Sequence, residues 1–324
     1  MKSLKDFDRE IILRLYETML KIRLFERTQA RVFRAGEQEG FTHLYLGAEA
    51  VATGVCANLN KDDYITSTHR GHGHMIAKGG DFKKMMAELY GRSTGYCLGR
   101  SGSLHIADRS IGVLGANGIV GDGNPIAVGA GYSIKLRGTK QVVVSFFGDG
   151  ATNQGTFHES VNMAASFNLP VIFVIENNRL SCGVPTDTVC KVLENLGDRA
   201  VAYGIQGENI DGLDVLEVYT TAKAAVQRAR SGEGPTLINC KIVRHRGHFE
   251  GDIDIRTQEE VDAALKQDAV ESFEKRMLEE KIISEKDVQE HRNRIQKMID
   301  EAVEFARKSP LPKPEDALKF VYAE

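Results

Sequence analysis

The sequence of 324 residues contains no tryptophan, only 7 prolines and only 5 cysteines. The cysteines are odd in number, widely scattered and without C-x-x-C spacing, so the sequence indicates reduced thiols rather than a disulfide framework or a zinc ribbon. No apolar stretch reaches the length of a membrane span, and the first residues form neither an apolar nor an arginine-rich leader. We therefore expect a cytoplasmic protein without a membrane partner.

A charge excess of either sign is also lacking. The 42 basic and 45 acidic side chains nearly cancel, which leaves a formal net charge of −3. Because no block of like charges is long enough to act as an electrostatic arm, nucleic acid is not an expected partner. The hydrophobic fraction of 42% is enough for a sizeable core, and the length suits one large α/β domain with smaller appendages.

Continuous apolar runs predict buried strands at residues 141–147, 171–176 and 236–243, and a shorter strand is predicted around residues 63–67. Helical segments separate these runs. Such strands between helices are typical of a parallel sheet that is covered on both faces. The sequence therefore predicts the α/β class.

Polar groups follow three of the predicted strands. Gly148-Asp149-Gly150, Asn177-Asn178 and Arg244-His245-Arg246 each begin where a strand ends. Because ligands of parallel sheets bind outside the carboxyl ends of the strands, we expect these groups to meet at one edge.

Helical segments flank the predicted sheet. Apolar residues recur at helical spacing through residues 9–35, and a charged helical region with a break near residues 283–285 lies towards the other end. The predicted division is an N-terminal helical segment (1–40), an α/β domain (41–256) and a C-terminal helical region and tail (257–324).

Asp149 and Asn178 offer the oxygen ligands that magnesium prefers when it joins a protein to a phosphate. The glycines beside Asp149 allow close approach to a diphosphate, and a helix predicted to open near Thr152 offers free amides to the same anion. Each motif alone is better explained as a turn. Their combination after successive strands favours a binding site.

From residue 41 to residue 252 the sequence resembles, block by block, the alpha subunits of two-subunit 2-oxo acid dehydrogenase complexes. The matching blocks are GFTHLYLGAEA, THRGHGH, GRSGSLHIAD, LGANGIVG, GDGATNQGTFHESVNMAA, ENN and RHRGHFEGD. GDG followed by NN resembles the family's thiamine-diphosphate motif. THRGHGH and LGANGIVG are most similar to the acetoin dehydrogenase branch, since pyruvate-type relatives usually have tyrosine at the position of His69. The resemblance implies the thiamine-diphosphate-binding fold with helical extensions at both ends.

The resemblance also implies individual roles around thiamine diphosphate and Mg²⁺. The metal ligands would be the side chains of Asp149 and Asn178 and the backbone carbonyl of Leu180, where the family usually has tyrosine. Arg70 and Arg244 would hold the diphosphate, because guanidinium groups are always charged and can bind phosphate oxygens bidentately.

Backbone contacts and histidines complete the implied site. Gly150 and Ala151 would present amides to the diphosphate, and Gly118 and Val120 would contact the aminopyrimidine through the backbone. The implied catalytic histidines, which can transfer protons near neutral pH, are His43, His69 and His248, the last also a cofactor contact. His72 and His74 remain open between packing and function, transition-metal ligation by His69, His72 and His74 is a weaker alternative, and His105 is expected to be structural.

The implied activity is cleavage of acetoin and transfer of the acyl group to a lipoyl-bearing acyltransferase. The family's catalytic glutamate lies on a separate beta subunit, so we expect an α2β2 heterotetramer. Pyruvate or a branched-chain 2-oxo acid is the alternative substrate, and half of a split transketolase is a further alternative. A nicotinamide- or nucleotide-binding protein is disfavoured because G-x-G-x-x-G and G-x-x-x-x-G-K-[ST] are absent from the sequence.

Overall fold

The computed structural model describes residues 3–191 and 194–319. The strands are β1 Tyr64–Thr68, β2 Val113–Asn117, β3 Val143–Gly148, β4 Val171–Asn177, β5 Leu180–Ser181, β6 Val184–Pro185, β7 Gln206–Asp211 and β8 Thr236–Lys241. Six of them pair in parallel in the order β2-β1-β3-β4-β8-β7, and β5 and β6 form a separate antiparallel hairpin. The predicted parallel sheet is confirmed, and its four predicted strands correspond to β1, β3, β4 and β8.

Helices cover both faces of the sheet. They are α1 Arg9–Arg34, α2 Glu49–Cys56, α3 His72–Ala77, α4 Phe82–Leu89, α5 Gly123–Arg137, α6 Gly155–Ser166, α7 Val215–Ser231, α8 Gln258–Leu265, α9 Ala269–Glu279 and α10 Glu285–Lys308. The N-terminal helix and the break before residue 285 agree with the prediction. In the described part of the chain, no helix is both long and apolar enough to cross a membrane.

Alternation along the strands divides the core into two layers. Val144 and Phe146 of β3 belong to the larger core cluster, which also includes side chains of α1, α2, α7, α9 and α10. Val143 and Phe147, which point to the other face, pack with α5 and α6. Because β3 and β4 are buried on both faces, their sequences are apolar at nearly every position, as expected for central parallel strands.

The terminal helices share the larger layer with the sheet. A buried ion-pair cluster strengthens this arrangement, since Arg23 of α1 pairs with Glu49 of α2 and with Asp268, each at 2.6 Å. Asp268 also caps α9 by accepting from the amides of Val270 and Glu271. One guanidinium therefore joins three helices at a site closed to water. The division into residues 1–40, 41–256 and 257–324 stays a prediction.

We expect Arg23→Leu to destabilise the chain by about 3–5 kcal/mol, because it would leave two buried carboxylates without a counter-charge. The matched control is Arg27→Leu on the same helix. Arg27 is about half exposed and lies 3.9 Å from an exposed Glu271, so its loss should cost less than about 1 kcal/mol. Chemical denaturation of both variants measures the difference, and equal losses of stability would contradict this account of the cluster.

Candidate functional site

A cavity of about 410 Å³ opens at the carboxyl edge of the sheet. The loops that leave β1, β2, β3, β4 and β8 form its walls, as the parallel topology requires. Every site residue predicted from the sequence lines this one cavity: His43, His69, Arg70, Gly118, Val120, Asp149, Gly150, Ala151, Asn178, Leu180, Arg244 and His248. The structure thus brings the whole predicted set together, while the role of each member stays a prediction.

Asp149 lies at the end of β3 and is 1% exposed. Its Oδ2 accepts a hydrogen bond from the Thr186 hydroxyl, whereas its Oδ1 is buried and has no hydrogen-bond partner within residues 3–191 and 194–319. Burial raises the pKa of Asp149 to about 6, although the Thr186 hydroxyl and the Asn178 backbone oppose this rise. A buried carboxylate oxygen without a partner fits a site for a metal ion.

Asn178 and Leu180 reach the same cavity because the chain folds back immediately after β4. Arg179 takes a left-handed conformation with φ of 62°, and the β5–β6 hairpin follows. The Asn178 side-chain oxygen accepts a hydrogen bond from the Leu180 backbone amide at 2.9 Å, which fixes the orientation of the Asn178 side chain. Asn178 and Leu180 are therefore held on the wall that contains Asp149.

The strand-to-helix connection after β3 differs in detail from the prediction. Residues Asp149–Asn153 form a 3-10 turn, and α6 begins at Gly155 rather than near Thr152. A Cβ atom at position 150 would overlap the Ser181 side chain of the hairpin, so only glycine allows this close approach. Gly150 and Ala151 lie within the turn and line the cavity.

Two arginines contribute positive charge to the lining of the cavity. Arg70 donates to the carbonyls of Leu44 at 2.7 Å and His248 at 2.9 Å, and Arg244 donates to those of Arg246 and Cys182. In the described part of the chain, neither guanidinium pairs with a carboxylate. Burial, followed by the charge of Arg244, lowers the pKa of Arg70 to about 10. A guanidinium that has no direct carboxylate partner is suited to bind an anionic ligand.

The segment after β2 forms another part of the cavity lining. The Asn117 side chain accepts from the Ile119 amide at 2.9 Å and donates to Asp122 at 3.0 Å, so it holds the turn that contains Gly118. A Cβ atom at position 118 would meet only the His105 ring, at 3.6 Å. The space above Gly118 is therefore open to a ligand. His105 itself bonds the Ala116 carbonyl through Nδ1, which agrees with its expected structural role.

Three predicted histidines form one cluster. The ring centroids of His43 and His69 are 4.7 Å apart, those of His43 and His248 are 4.8 Å apart, and those of His69 and His248 are 5.4 Å apart. Burial first, and then the charge of Arg70, lowers the pKa to about 3 for His43, about 2 for His69 and about 4 for His248. The rings are therefore neutral at physiological pH, and each keeps one ring nitrogen that can accept a hydrogen bond.

The spacing of this cluster would also suit a transition metal, since ligand nitrogens of the three rings lie within 4.8 Å of one another. The adjacent charge of Arg70 opposes a cation there. His72 and His74 do not join the cluster and are fully buried. The geometry therefore gives no support to a metal site made of His69, His72 and His74.

His72 and His74 instead belong to internal hydrogen-bond networks. His72 bonds Glu26 at 3.1 Å and the Ser103 hydroxyl at 2.9 Å. His74 bonds Ser67 at 2.8 Å and Glu176 at 3.1 Å. These contacts favour the packing interpretation for both histidines.

Several side chains that shape the cavity were not predicted. Ser67 and Glu176 line it directly. Glu88, which is fully buried in α4, accepts from the amides of Cys97, Gly99 and Ser101 and from the Ser101 hydroxyl, all at 2.7–2.9 Å. One carboxylate thereby organises the loop that leads to the cavity residue Leu104. The glycine-rich composition of residues 91–123 is the sequence feature that predicts a ligand-binding loop here.

The loop that contains His248 is attached at three points. Arg70 donates to the His248 carbonyl, and the Glu250 amide donates to the Thr42 carbonyl at 2.9 Å. The Glu250 carboxylate is 3% exposed and forms an ion pair with Arg34 at the end of α1. Because Thr42 precedes His43, these contacts hold two of the clustered histidines relative to each other.

The sequence was also compared with those of known proteins. The sequence profile of the family described as Dehydrogenase E1 component matches residues 16–315. The alpha subunit of acetoin:2,6-dichlorophenolindophenol oxidoreductase from Bacillus subtilis is 48% identical over 95% of this chain and 92% of its own length. The subunit of the same name from Cupriavidus necator is 44% identical over 97% of this chain and 95% of its own length. The chloroplastic pyruvate dehydrogenase E1 component subunit alpha-3 of Arabidopsis thaliana is 40% identical over 96% of this chain and 74% of its own length. The chain therefore belongs to the dehydrogenase E1 component family.

Proposed function

We propose that this chain is the alpha subunit of a thiamine-diphosphate-dependent dehydrogenase that cleaves acetoin and passes the acyl group to a lipoyl-bearing partner. The relatives that share 48% and 44% of its residues over nearly the full length are named as acetoin oxidoreductase alpha subunits. The observation on which the proposal mainly rests is the unpaired Oδ1 of Asp149 in a cavity with two arginines that lack carboxylate partners.

A magnesium ion would be held by the chain's oxygen atoms. Asp149 supplies a carboxylate oxygen, Asn178 its side-chain carbonyl and Leu180 its backbone carbonyl, a set of hard donors that suits Mg²⁺. Because the backbone of Leu180 would be the ligand, the absence of the usual tyrosine does not weaken the site. The desolvation that raises the pKa of Asp149 would be offset by the bound cation.

The diphosphate would meet positive charge and backbone amides. Arg70 and Arg244 are held by backbone carbonyls, so their orientation does not depend on the ligand. The 3-10 turn contributes the amides of Gly150 and Ala151, and Gly118 and Val120 would lie along the ring system. The positioning of these groups before binding reduces the ordering that a ligand must impose.

Thiamine diphosphate supplies the carbanion chemistry of this enzyme class. The chain would contribute proton acceptors at the reacting end of the cavity. His43, His69 and His248 are neutral, and the buried Nδ1 of His43 has no hydrogen-bond partner among the described residues. The unpaired ring nitrogen of His43 would accept a hydrogen bond at the substrate, and an anionic diphosphate beside Arg70 would raise the lowered pKa values towards the range in which imidazole transfers protons.

A second chain would complete the site. Apolar side chains are exposed beside the cavity and along the outer faces of α5 and α6: Ile119, Val120, Ile126, Tyr132, Leu136, Met163 and Phe167. Ile119 is 66% exposed and Leu136 is 72% exposed, which is costly in water and typical of a protein interface. A beta subunit on this surface, in an α2β2 assembly, would cover the open side of the cavity.

Pyruvate is the alternative substrate, because the Arabidopsis relative that is 40% identical is named as a pyruvate dehydrogenase subunit. We expect the complex of this chain with its beta chain to reduce a dye acceptor with acetoin at least tenfold faster than with pyruvate or branched-chain 2-oxo acids. The matched control is the same complex without thiamine diphosphate. A clear preference for pyruvate would replace the acetoin assignment and leave the family unchanged.

We expect Asp149→Asn to abolish magnesium-dependent binding of thiamine diphosphate in calorimetric titrations of the complex with its beta chain. The same change should stabilise the metal-free chain at pH 8. Burial raises the pKa of Asp149 from 3.8 to about 6, so the folded chain keeps a proton that the unfolded chain loses between about pH 4 and pH 6. Stability therefore falls as pH rises through this window, by on the order of 3 kcal/mol, and the variant lacks this loss.

Asp187→Asn is the matched control, because Asp187 is exposed in the turn that contains Thr186. It should change neither magnesium-dependent binding nor the pH dependence of stability. Denaturation in chelator at pH 5 and pH 8 measures the stability difference. Wild-type binding by Asp149→Asn, or a stability difference that is the same at both pH values, would contradict the proposed role of Asp149.

A further inference from the structure

Thr186 is a fully buried residue 37 positions beyond Asp149. It follows the β5–β6 hairpin and begins a 3-10 turn of Thr186–Thr188. Its amide donates to the Arg179 carbonyl at 2.9 Å, and its carbonyl accepts from the Cys190 amide at 2.8 Å. The backbone of Thr186 therefore closes the hairpin independently of its side chain.

The Thr186 side chain bonds Asp149 instead. Its hydroxyl donates to Oδ2 of Asp149, and this bond leaves Oδ1 as the buried oxygen without a partner in the described ranges. A carboxylate can rotate about its last torsion, and a bond to one oxygen restricts that rotation. The hydroxyl thus holds Oδ2 and leaves Oδ1 as the oxygen that can bind a metal ion.

The same hairpin segment also contains the other two predicted metal ligands. Asn178 and Leu180 lie at its first end and line the same cavity as Asp149, and Thr186 at its second end bonds the Asp149 carboxylate. Ser181 of the same hairpin packs against Gly150 closely enough to exclude a larger residue there. The segment 178–186 therefore contacts the Asp149 turn at two points, through Thr186 and through Ser181.

We propose that Thr186 is a positioning residue for the magnesium ion, which holds Asp149 with Oδ1 directed at the metal through a hydrogen bond to Oδ2. This inference rests on the proposed function, because it presumes that Asp149 is a metal ligand. Groups that orient a ligand typically change metal affinity about 10- to 100-fold when they are removed.

Thr186→Val keeps the size of the side chain and removes the hydroxyl, and Thr186→Ser keeps the hydroxyl. Thr188→Val is the matched control, because the Thr188 hydroxyl lies in the same turn, is exposed and donates to the Pro185 carbonyl at 2.8 Å. Each variant is prepared with the beta chain. Calorimetry then measures thiamine-diphosphate binding over a series of magnesium concentrations, and the thermal midpoint is measured without ligand.

We expect Thr186→Val to raise the magnesium concentration needed for half-maximal binding by about 10-fold or more. At saturating magnesium its affinity for thiamine diphosphate should return to that of the wild type. Thr186→Ser should recover most of the magnesium affinity, and Thr188→Val should match the wild type. A purely structural role would instead lower the thermal midpoint and weaken binding at every magnesium concentration.

Two results would overturn the inference while leaving the proposed function intact: wild-type magnesium dependence in Thr186→Val, or equal losses in Thr186→Val and Thr186→Ser. Failure of the wild-type complex to bind thiamine diphosphate at any magnesium concentration would overturn the proposed function and this inference with it. The two failures are therefore distinguishable in one set of titrations.

Discussion

The Asp149 carboxylate is held at the end of a strand that is buried on both faces, where water cannot solvate its charge. The surrounding groups reduce the cost of this desolvation. Thr186 satisfies one oxygen, the Arg244 charge reduces the cost of ionisation, and the second oxygen has no hydrogen-bond partner among the described residues. A cation at that oxygen would compensate the buried charge, so the same burial that is unfavourable in the metal-free chain favours metal binding.

The charges in the cavity are separated by position. The carboxylate and neutral oxygen donors lie after β3 and β4, whereas Arg70 and Arg244 follow β1 and β8. A ligand that combines a metal ion with a diphosphate matches this arrangement better than a simple cation or a simple anion would. Burial first, and then the charges of the same arginines, lowers the pKa of each clustered histidine and keeps the imidazoles neutral.

The central strands and the residues after them could be predicted because both signals are local. β3, β4 and β8 are continuous apolar runs, and Asp149, Asn178 and Arg244 follow directly from their ends. β2 and β7 could not be predicted, since the sequences VLGAN and QGENID are polar or glycine-rich and only partly buried. A sheet position next to other strands, rather than an apolar sequence, makes these segments strands.

The contacts that orient the site residues could not be predicted from the sequence either. Thr186 and Asp149 are 37 residues apart, and only the fold of the β5–β6 hairpin brings them together. Glu88 and Glu26 are acidic residues in helices, where solvent exposure is the ordinary expectation, yet both are buried and bond several partners. Contacts between residues so far apart in the sequence depend on the completed tertiary structure, and no sequence spacing predicts them.

The most direct test of the central claim is a crystal structure of this chain with its beta chain, thiamine diphosphate and Mn²⁺, in which anomalous scattering locates the metal. We expect one Mn²⁺ peak bound by Oδ1 of Asp149, the Asn178 side-chain oxygen and the Leu180 carbonyl, with the diphosphate against Arg70 and Arg244. A metal peak at the histidine cluster instead, or a cofactor bound away from this cavity, would contradict the account.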